Sequence, residues 1–275
     1  MQPTKQTALT RMAARIRMGA LTGIYHGKSG HPGGSLSIAD LLAVLYTDEL
    51  RLDPADPTWE DRDRFVLSKG HCAPALYAAL AERGFFSPEE LATLRHVDSR
   101  LQGHPDMKGV PGVDMSTGSL GQGISAACGM ALSGKLRDKS YRVYAVVGDG
   151  ESEEGQVWEA AMFAAHYKLD NLCVFFDLNG LQIDGPVTEV MNPYPHDAKL
   201  AAFGWNVLTV SAHDFEALEW ALATARNTKG KPTAVLMHSV KGKGVSFMEG
   251  QCDWHGKAPS EEQYRAAMDE LARAL

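Results

Sequence analysis

The chain has 275 residues, of which 44% are hydrophobic, and its formal net charge is −7. This length and apolar content suffice for a large core, while the acidic balance without any block of Lys or Arg argues against nucleic acid as a partner. The longest apolar runs have the length of strands and the N-terminus lacks the apolar core of a signal peptide, so no membrane partner is expected.

The first half of the chain predicts helices and strands separated by glycine-rich loops. Residues 28–34 are too rich in Gly and Pro for anything but a loop, and Ser35 or Ser37 can cap the helix that follows. A long segment, residues 99–123, shows little periodicity, and loops of that length are usually functional. The predicted helices cover residues 9–25, 38–49, 73–83 and 122–136, with one short strand at 65–67.

The second half predicts four further strands, at residues 141–147, 172–176, 205–210 and 233–238. Helices over residues 156–167 and 214–226 lie between them, the second with Asp214 as its N-cap, and a terminal helix is capped by Ser260. Strands that alternate with helices predict an α/β fold, a doubly wound parallel sheet flanked by helices. No linker or repeat divides the sequence, so residues 1–275 are expected to form a single domain.

A Gly148-Asp149-Gly150 turn follows one buried strand, and Asn179 follows the next. Because a right-handed crossover brings the carboxyl ends of parallel strands to one edge, both side chains are expected to face one spot. Oxygen ligands suit Mg²⁺, with Ca²⁺ as a possibility, and Mg²⁺ often bridges protein oxygens to phosphates. The pattern predicts a metal clamp for a diphosphate. A simple turn is the alternative, but it leaves Asn179 unexplained.

Four of the ten histidines lie in predicted loops beside Gly or Pro: His31, His71, His104 and His255. Imidazoles at one sheet edge suit polyol chemistry, in which hydroxyl protons are removed and returned. Surface histidines without function are the alternative for each one singly. His166, His196 and His213 lie on helix-like or polar stretches and are assigned no function, and no short-spaced ligand set predicts zinc.

A second glycine-rich loop, residues 117–123, precedes a helix and includes Gly118, Ser119 and Leu120. Its backbone N–H groups could hold a diphosphate or an aminopyrimidine ring. It lacks the Gly-Lys-Ser/Thr of a P-loop and follows no clear strand, which argues against a nucleotide fingerprint. The four cysteines are scattered without a Cys-x-x-Cys pair, a pattern typical of a reduced, cytoplasmic protein.

Taken together, these motifs resemble those of transketolases. The chain is similar to the N-terminal, thiamine diphosphate-binding half of that family, and more specifically to the N-terminal subunit of split bacterial transketolases. The resemblance implies the thiamine diphosphate-binding fold. It is carried, in transketolase order, by Ser-Gly-His-Pro-Gly at 29–33, Leu-Ser-Lys-Gly-His at 67–71, Gly-His-Pro at 103–105, Ser-Thr-Gly-Ser-Leu-Gly-Gln-Gly at 116–123, Gly-Asp-Gly-x-x-x-Glu-Gly at 148–155, Asn-Gly-Leu-Gln-Ile-Asp-Gly at 179–185, Lys-Gly-Lys-Gly-Val-Ser-Phe-Met at 241–248 and Trp-His-Gly at 254–256.

The resemblance also implies roles for single residues. Asp149 and Asn179 match the family's metal ligands, with the backbone carbonyl of Leu181 completing the set. Glu154 matches an acidic residue of an intersubunit network near the cofactor, whereas Glu151 and Glu153 are interpreted as charge at a helix N-terminus. Lys241 and Lys243 belong either to an active-site loop or to a solvated one. Cofactor contacts are implied for His71, Gly118, Ser119, Leu120, Gly150, Glu154, Asn179 and His255, and catalytic contacts for His31, His104, His255 and Glu154.

The activity implied is transfer of a two-carbon ketol unit between a ketose phosphate and an aldose phosphate, as in the pentose phosphate pathway. In this family the carboxylate that activates the cofactor comes from a pyrimidine domain, which this chain lacks. We therefore expect a partner, the C-terminal transketolase subunit, in an α₂β₂ assembly, although a fragment of a longer enzyme is an alternative. Other readings are ketol transfer on a branched or sulfonated sugar, an α-keto acid decarboxylating subunit, and a non-catalytic cofactor-binding module.

Overall fold

The computed structural model describes residues 1–275 and contains one five-stranded sheet in which every neighbouring pair of strands is parallel. The spatial order of the strands is β1-β2-β3-β5-β4. All five predicted strands are present, and the predicted α/β fold is confirmed. The strands are β1 (Arg64–Leu67), β2 (Val143–Gly148), β3 (Leu172–Leu178), β4 (Asn206–Ser211) and β5 (Thr233–His238).

Helices cover both faces of this sheet, as the doubly wound prediction requires. Because successive side chains of a strand point to opposite faces, each strand contributes to two cores. Phe175 packs into the core formed with the helices of residues 3–26, 39–44, 73–83 and 215–227, and Phe176 into the core formed with those of residues 122–136, 155–166 and 196–203. None of the helices combines the length and the apolar character that crossing a bilayer requires. The helices are α1 (Pro3–His26), α2 (Pro32–Ser37), α3 (Ala39–Val44), α4 (Ala73–Arg83), α5 (Gln122–Leu136), α6 (Gly155–His166), α7 (Val187–Val190), α8 (His196–Phe203), α9 (Phe215–Asn227) and α10 (Glu261–Ala272).

The structure differs from the sequence-based expectation chiefly at four helices. α2 begins inside the segment predicted as loop, because Pro32 occupies the first helical turn, where its missing N–H costs nothing. The helix predicted over residues 38–49 is α3 followed by a wider turn at Leu45–Glu49. α7 and α8 were not predicted; they are only four and eight residues long, and α8 is followed by Gly204, which has a φ of +98°. The predicted caps at Asp214 and Ser260 are both present.

The parallel arrangement brings the carboxyl ends of all strands to one edge. There β1 is followed by Lys69, β2 by Asp149 and β3 by Asn179. β5 leads into Lys241, and β4 into His213 beside it. This edge is where open α/β sheets bind ligands, and it carries the candidate site.

Candidate functional site

Two backbone turns at the ends of β2 and β3 are tied together by the Asp149 carboxylate. Its Oδ1 accepts the Gly150 N–H at 2.9 Å and its Oδ2 accepts the Gly180 N–H at 2.6 Å. The Asn179 amide donates to Asp177 Oδ2 at 3.1 Å, and its Oδ1 accepts the Leu181 N–H at 3.1 Å. Asp149 and Asn179 therefore lie on adjoining turns at the carboxyl edge of the sheet, and both line one cleft.

We call Asp149, Asn179 and Leu181, on the turns after β2 and β3, the metal corner. A buried ion pair lies next to it. Lys69 Nζ is 2.6 Å from Asp177 Oδ2 and also donates to the Gly34 carbonyl at 3.0 Å. Hydroxyls of Ser37 and Ser239 donate to the same carboxylate. Burial opposes the charged forms of both partners, but their mutual attraction prevails, so the pKa of Asp177 is lowered and that of Lys69 is raised. Sequence reasoning missed this pair; its only signal was a charged residue near the end of the apolar β3 run.

The corner has the donor chemistry and the charge that a divalent cation requires. A carboxylate, an amide oxygen and the Leu181 carbonyl are hard oxygen donors of the kind that bind Mg²⁺ or Ca²⁺. Burial, and then the nearby Asp177 charge, raise the pKa of Asp149 to about 6. A cation beside Asp149 would offset both effects, because it stabilises the ionised carboxylate. Asp149, Asn179 and Leu181 thus fit the metal that the sequence predicts.

Three of the four loop histidines form a compact triangle next to this corner. The ring centroids of His31 and His71 are 5.1 Å apart, those of His31 and His255 are 5.4 Å apart, and those of His71 and His255 are 5.3 Å apart. They come from three separate loops, after α1, β1 and β5. Sequence patterns could not establish this contact, since the residues are far apart along the chain.

His104, the fourth predicted histidine, is exposed and lies at the margin of the triangle. A Cβ atom on Gly118 would lie 2.8 Å from the His104 ring, so only glycine, here with a φ of +141°, lets the two loops approach this closely. The Arg95 guanidinium lies between the histidine loops, where it donates to Ser29 Oγ at 2.8 Å and packs against Gly103.

The environment keeps all four imidazoles neutral at pH 7. Burial, then the charge of Arg95, lower the pKa of His31 to about 4, and burial, then Lys241, lower that of His255 to about 4. Burial lowers the pKa of His71 well below its usual value, and partial loss of solvent, then the Arg95 charge, lowers that of the more exposed His104. A neutral imidazole can both donate and accept a proton through its two nitrogens, which suits contacts with hydroxyl groups.

Lys241 connects the histidines to the metal corner. Its side chain is buried, and Nζ donates to the Leu181 carbonyl at 3.2 Å and lies 3.1 Å from His255 Nδ1. Lys243, by contrast, pairs with Glu249 at 3.2 Å outside the cleft. The two lysines, for which sequence reasoning left active-site and solvated roles open, therefore occupy different environments.

A cleft of about 240 Å³ lies between the metal corner and the histidines. Its mouth carries two exposed apolar side chains, Leu120 and Ile183, which are 37% and 67% exposed. Most of the predicted site residues line this cleft, whereas His104, Ser119 and Glu154 do not. Lining residues include His31, His71, Gly118, Leu120, Asp149, Gly150, Asn179, Leu181, Lys241 and His255.

Glu151 and Glu154, two acidic residues after β2, differ in burial. Glu151, interpreted from the sequence as helix N-terminal charge, does lie in the first turn of the short 3₁₀ helix Gly150–Glu153. The sequence did not show that it is buried and accepts hydrogen bonds from Ser68 Oγ, Gly121 N–H and Gly148 N–H. It thereby joins the loops after β1 and β2 to the start of α5. Glu154 is exposed at the N-terminus of α6, packed against Gly121.

His196, to which the sequence assigned no function, is also buried beneath the site. Its Nε2 is 2.6 Å from Ser152 Oγ, which in turn donates to the backbone carbonyl of Asp149 at 2.5 Å. The residue begins α8, a helix that was not predicted, which is why its position could not be inferred. His196 supports the Asp149 turn from below and does not enter the cleft.

Sequence comparison identifies the family. The profile of the transketolase thiamine diphosphate binding domain matches residues 8–272. The chain belongs to the transketolase family. It is 46% identical over 269 residues to the 6-deoxy-6-sulfo-D-fructose transketolase subunit SqwG of Clostridium sp. (strain MSTE9), covering 98% of both chains. It is 43% identical over 252 residues to an apulose-4-phosphate transketolase subunit of Phocaeicola vulgatus, covering 92% of this chain and 89% of that one.

Solved structures agree with the sequence matches. Transketolase from Leishmania mexicana superposes with a TM-score of 0.91 at 34% identity, covering 96% of this chain and 41% of that one. Transketolase from Campylobacter jejuni gives a TM-score of 0.92 at 32% identity, with 99% and 43% coverage. The chain therefore spans about two-fifths of these longer transketolases. The predicted family and the predicted enzyme class, a transketolase-type transferase, are confirmed by these matches.

Removing one partner of the buried Lys69–Asp177 pair should destabilise the fold far more than removing both. Lys69→Met should lower the free energy of unfolding by about 3–5 kcal/mol, because it leaves a buried carboxylate without its counter-charge. Adding Asp177→Asn in the same chain should recover most of that loss. Lys135→Met, which breaks the more exposed 2.6 Å pair with Asp170, should cost less than about 1 kcal/mol. Urea unfolding of these variants measures the free energy of unfolding. Equal decreases for Lys69→Met and Lys135→Met would contradict the prediction.

The neutral histidines predict how stability depends on pH. Since the pKa values of His31 and His255 are about 4 in the folded chain against 6.5 in the unfolded one, the unfolded state binds more protons between these values. Stability should therefore fall as the pH is lowered from 6.5 towards 4. The double variant His31→Asn/His255→Asn should show a shallower fall in urea unfolding between pH 7 and pH 5. His166→Asn, on an exposed face of α6, controls for the substitution.

Proposed function

We propose that this chain is the N-terminal subunit of a transketolase that transfers a two-carbon ketol unit from a ketose to an aldose, using thiamine diphosphate and Mg²⁺. The observation that carries the proposal is the triangle of neutral imidazoles beside an oxygen-donor corner, at the carboxyl edge of the sheet. An α-keto acid decarboxylating subunit would make no use of three imidazoles directed at hydroxyl groups. Intact metal donors and histidines likewise count against a non-catalytic module.

The proposed roles follow the chemistry of each part of the cleft. Asp149, Asn179 and the Leu181 carbonyl would hold the metal, for which Ca²⁺ is the alternative to Mg²⁺. Thiamine diphosphate, when bound, supplies an electron sink for breaking and forming a carbon–carbon bond next to a carbonyl. Lys241 supports the same assignment, because this buried lysine lines the cleft and has no carboxylate partner, so its charge could offset that of a diphosphate.

The remaining cofactor contacts are proposed for the glycine loops and two histidines. The backbone around Gly118, Ser119 and Leu120 would receive the cofactor on one side, and Gly150 on the other. His71 is the most deeply buried imidazole of the triangle and His255 contacts Lys241, which supports contacts of both with the cofactor.

Sugar contacts are proposed for His31, His104 and His255. Being neutral, each could take a hydroxyl proton on one ring nitrogen and return it, as general acid–base catalysis requires. Glu154 would act in an intersubunit network, a role that its exposed position at the start of α6 supports. Lys241 is proposed as an active-site residue because it is buried between His255 and the metal corner, and Lys243 as a solvated one.

We further propose a partner subunit that carries the pyrimidine domain, in an α₂β₂ assembly. Exposed Leu120 and Ile183 at the cleft mouth support it, because apolar side chains at the mouth of a polar cleft mark a surface that another molecule covers. Two relatives of nearly the same length are named as transketolase subunits, which also supports it. That residues 1–275 form a single domain, and that the protein is cytoplasmic, remain predictions; four free cysteines are consistent with the latter.

The identity of the sugar has two candidates. Ordinary ketose and aldose phosphates are the first, and a modified sugar is the second, favoured by relatives named for a sulfonated fructose and for apulose 4-phosphate. Comparing 6-deoxy-6-sulfofructose, apulose 4-phosphate and fructose 6-phosphate as donors with the assembled enzyme would decide between them. The donor with the highest kcat/KM identifies the substrate class.

The metal assignment predicts the effect of Asp149→Ala. Removing the only charged donor of the metal corner should weaken Mg²⁺-dependent thiamine diphosphate binding by more than about 100-fold. Mutating a residue that only hydrogen-bonds to a metal ligand typically costs about 10- to 100-fold, and Asp149 is proposed to contact the metal itself. Asp184→Ala, an exposed carboxylate on the same loop as Leu181, should leave the affinity unchanged. Calorimetry on the assembled enzyme measures both, and equal affinities for the two variants would refute the metal site.

The partner assignment predicts that the chain alone has no ketol transferase activity. It should also bind the cofactor weakly, because the aminopyrimidine would contact only one wall of its site. Adding a pyrimidine-domain chain should restore activity in a stoichiometric complex. A coupled assay on the single chain, with mass spectrometry to exclude a second polypeptide, is the test. Turnover by the single chain would overturn the split-enzyme proposal.

A further inference from the structure

A buried charged cluster lies behind the cleft and touches none of the proposed cofactor or sugar contacts. Arg17 of α1 pairs in bidentate fashion with Asp40 of α3, at 3.0 and 2.6 Å, and both side chains are less than 10% exposed. The third member, His213, follows β4; its Nδ1 is 2.7 Å from Asp40 Oδ2. We call Arg17, Asp40 and His213 the rear cluster.

The rear cluster holds the backbone of two site loops. Arg17 Nε donates to the Leu36 carbonyl at 3.3 Å, on the helix that follows His31. At the other end, the Val240 N–H donates to His213 Nε2 at 2.9 Å, immediately before Lys241. The two loops also meet directly, since the Gly242 N–H donates to the Gly33 carbonyl at 2.9 Å.

These contacts define the tautomer of His213. A backbone N–H can only donate, so Nε2 must be the accepting nitrogen and Nδ1 must carry the proton that Asp40 accepts. Both ring nitrogens are thereby engaged, and the ring is 15% exposed. A side chain without an acceptor here would leave the Val240 N–H unpaired at the start of the segment that carries Lys241 and His255.

The packing between the two loops leaves little tolerance for a shift of that segment. A Cβ atom on Gly33 would lie 2.9 Å from both Lys241 Cγ and the Trp254 carbonyl oxygen. Lys241 in turn bridges Leu181 and His255 with single hydrogen bonds. A displacement of Val240 therefore moves the ammonium group that spans the metal corner and the histidine triangle.

We propose that His213 is a positioning residue: through the Val240 N–H it fixes the segment of residues 240–256, and thereby Lys241 and His255 in the cleft. This inference rests on the proposed function for its effect on the cofactor, but not for its effect on the backbone. His213→Leu should remove the acceptor while keeping the apolar volume of the ring. His213→Gln should rescue, because its amide offers one acceptor and one donor to the same two partners.

Hydrogen exchange of the assembled enzyme gives the first readout. In His213→Leu the Val240 and Gly242 amides should exchange roughly 5- to 100-fold faster, the range that corresponds to an unpaired buried donor, while amides within β5 keep their protection. His213→Gln should stay within about threefold of the wild type. Tyr141→Phe, which removes a single 3.0 Å bond to the Met130 carbonyl at the opposite edge of the sheet, is the matched control and should change neither amide.

The second readout separates positioning from general stability. Thiamine diphosphate affinity should fall roughly tenfold in His213→Leu, yet the same substitution should add little in a Lys241→Ala background, because contacting residues that act in series give non-additive losses. Unchanged exchange in His213→Leu, equal defects in the Leu and Gln variants, or additive losses with Lys241→Ala would each overturn the assignment. If His213→Leu does not fold, His213→Asn, too short to reach both partners, replaces it. Should the enzyme bind no thiamine diphosphate, the exchange data still decide the role of His213.

Discussion

The buried contact between Lys69 and Asp177 is the interaction on which the site depends. Asp177 is the penultimate residue of β3 and is completely buried, so it can exist as a carboxylate only with a counter-charge in contact. Lys69 supplies that charge from the loop after β1. The same ammonium group reaches the Gly34 carbonyl on α2, so three parts of the chain are fixed by one cation.

Two opposite electrostatic environments result within a single corner. Asp177 is ionised and internally neutralised by contact with Lys69, whereas no ammonium group is in contact with Asp149, and burial raises its pKa to about 6. The Asn179 amide N–H donates to the Asp177 carboxylate, while its Oδ1 accepts the Leu181 N–H and keeps a second lone pair for a further partner. Asp177 therefore holds the surrounding chain in place, whereas Asp149 is the carboxylate that a bound cation would stabilise.

The sequence predicted the strands and most helices, because apolar periodicity and Gly or Pro encode them locally. It also named part of the lining of the cleft, since glycine-rich loops mark the ends of the strands. It failed where a role depends on distant contacts. From the sequence Glu151 is interpreted only as charge at a helix N-terminus, yet three donors from other loops and from its own turn surround it. His213 and His196 look ordinary for the same reason: the partners that define them are 27 and 44 residues away in sequence.

The way the cleft is built also affects how the chain folds. Its walls come from the ends of four parallel strands and from loops between His31 and His255, so hardly any of its contacts are local in sequence. Structures dominated by such long-range parallel pairing fold slowly, because loop closure must precede the contacts that reward it. A ligand that needs the finished edge can bind only after that slow step. It should therefore prolong the lifetime of the folded chain without hastening its formation.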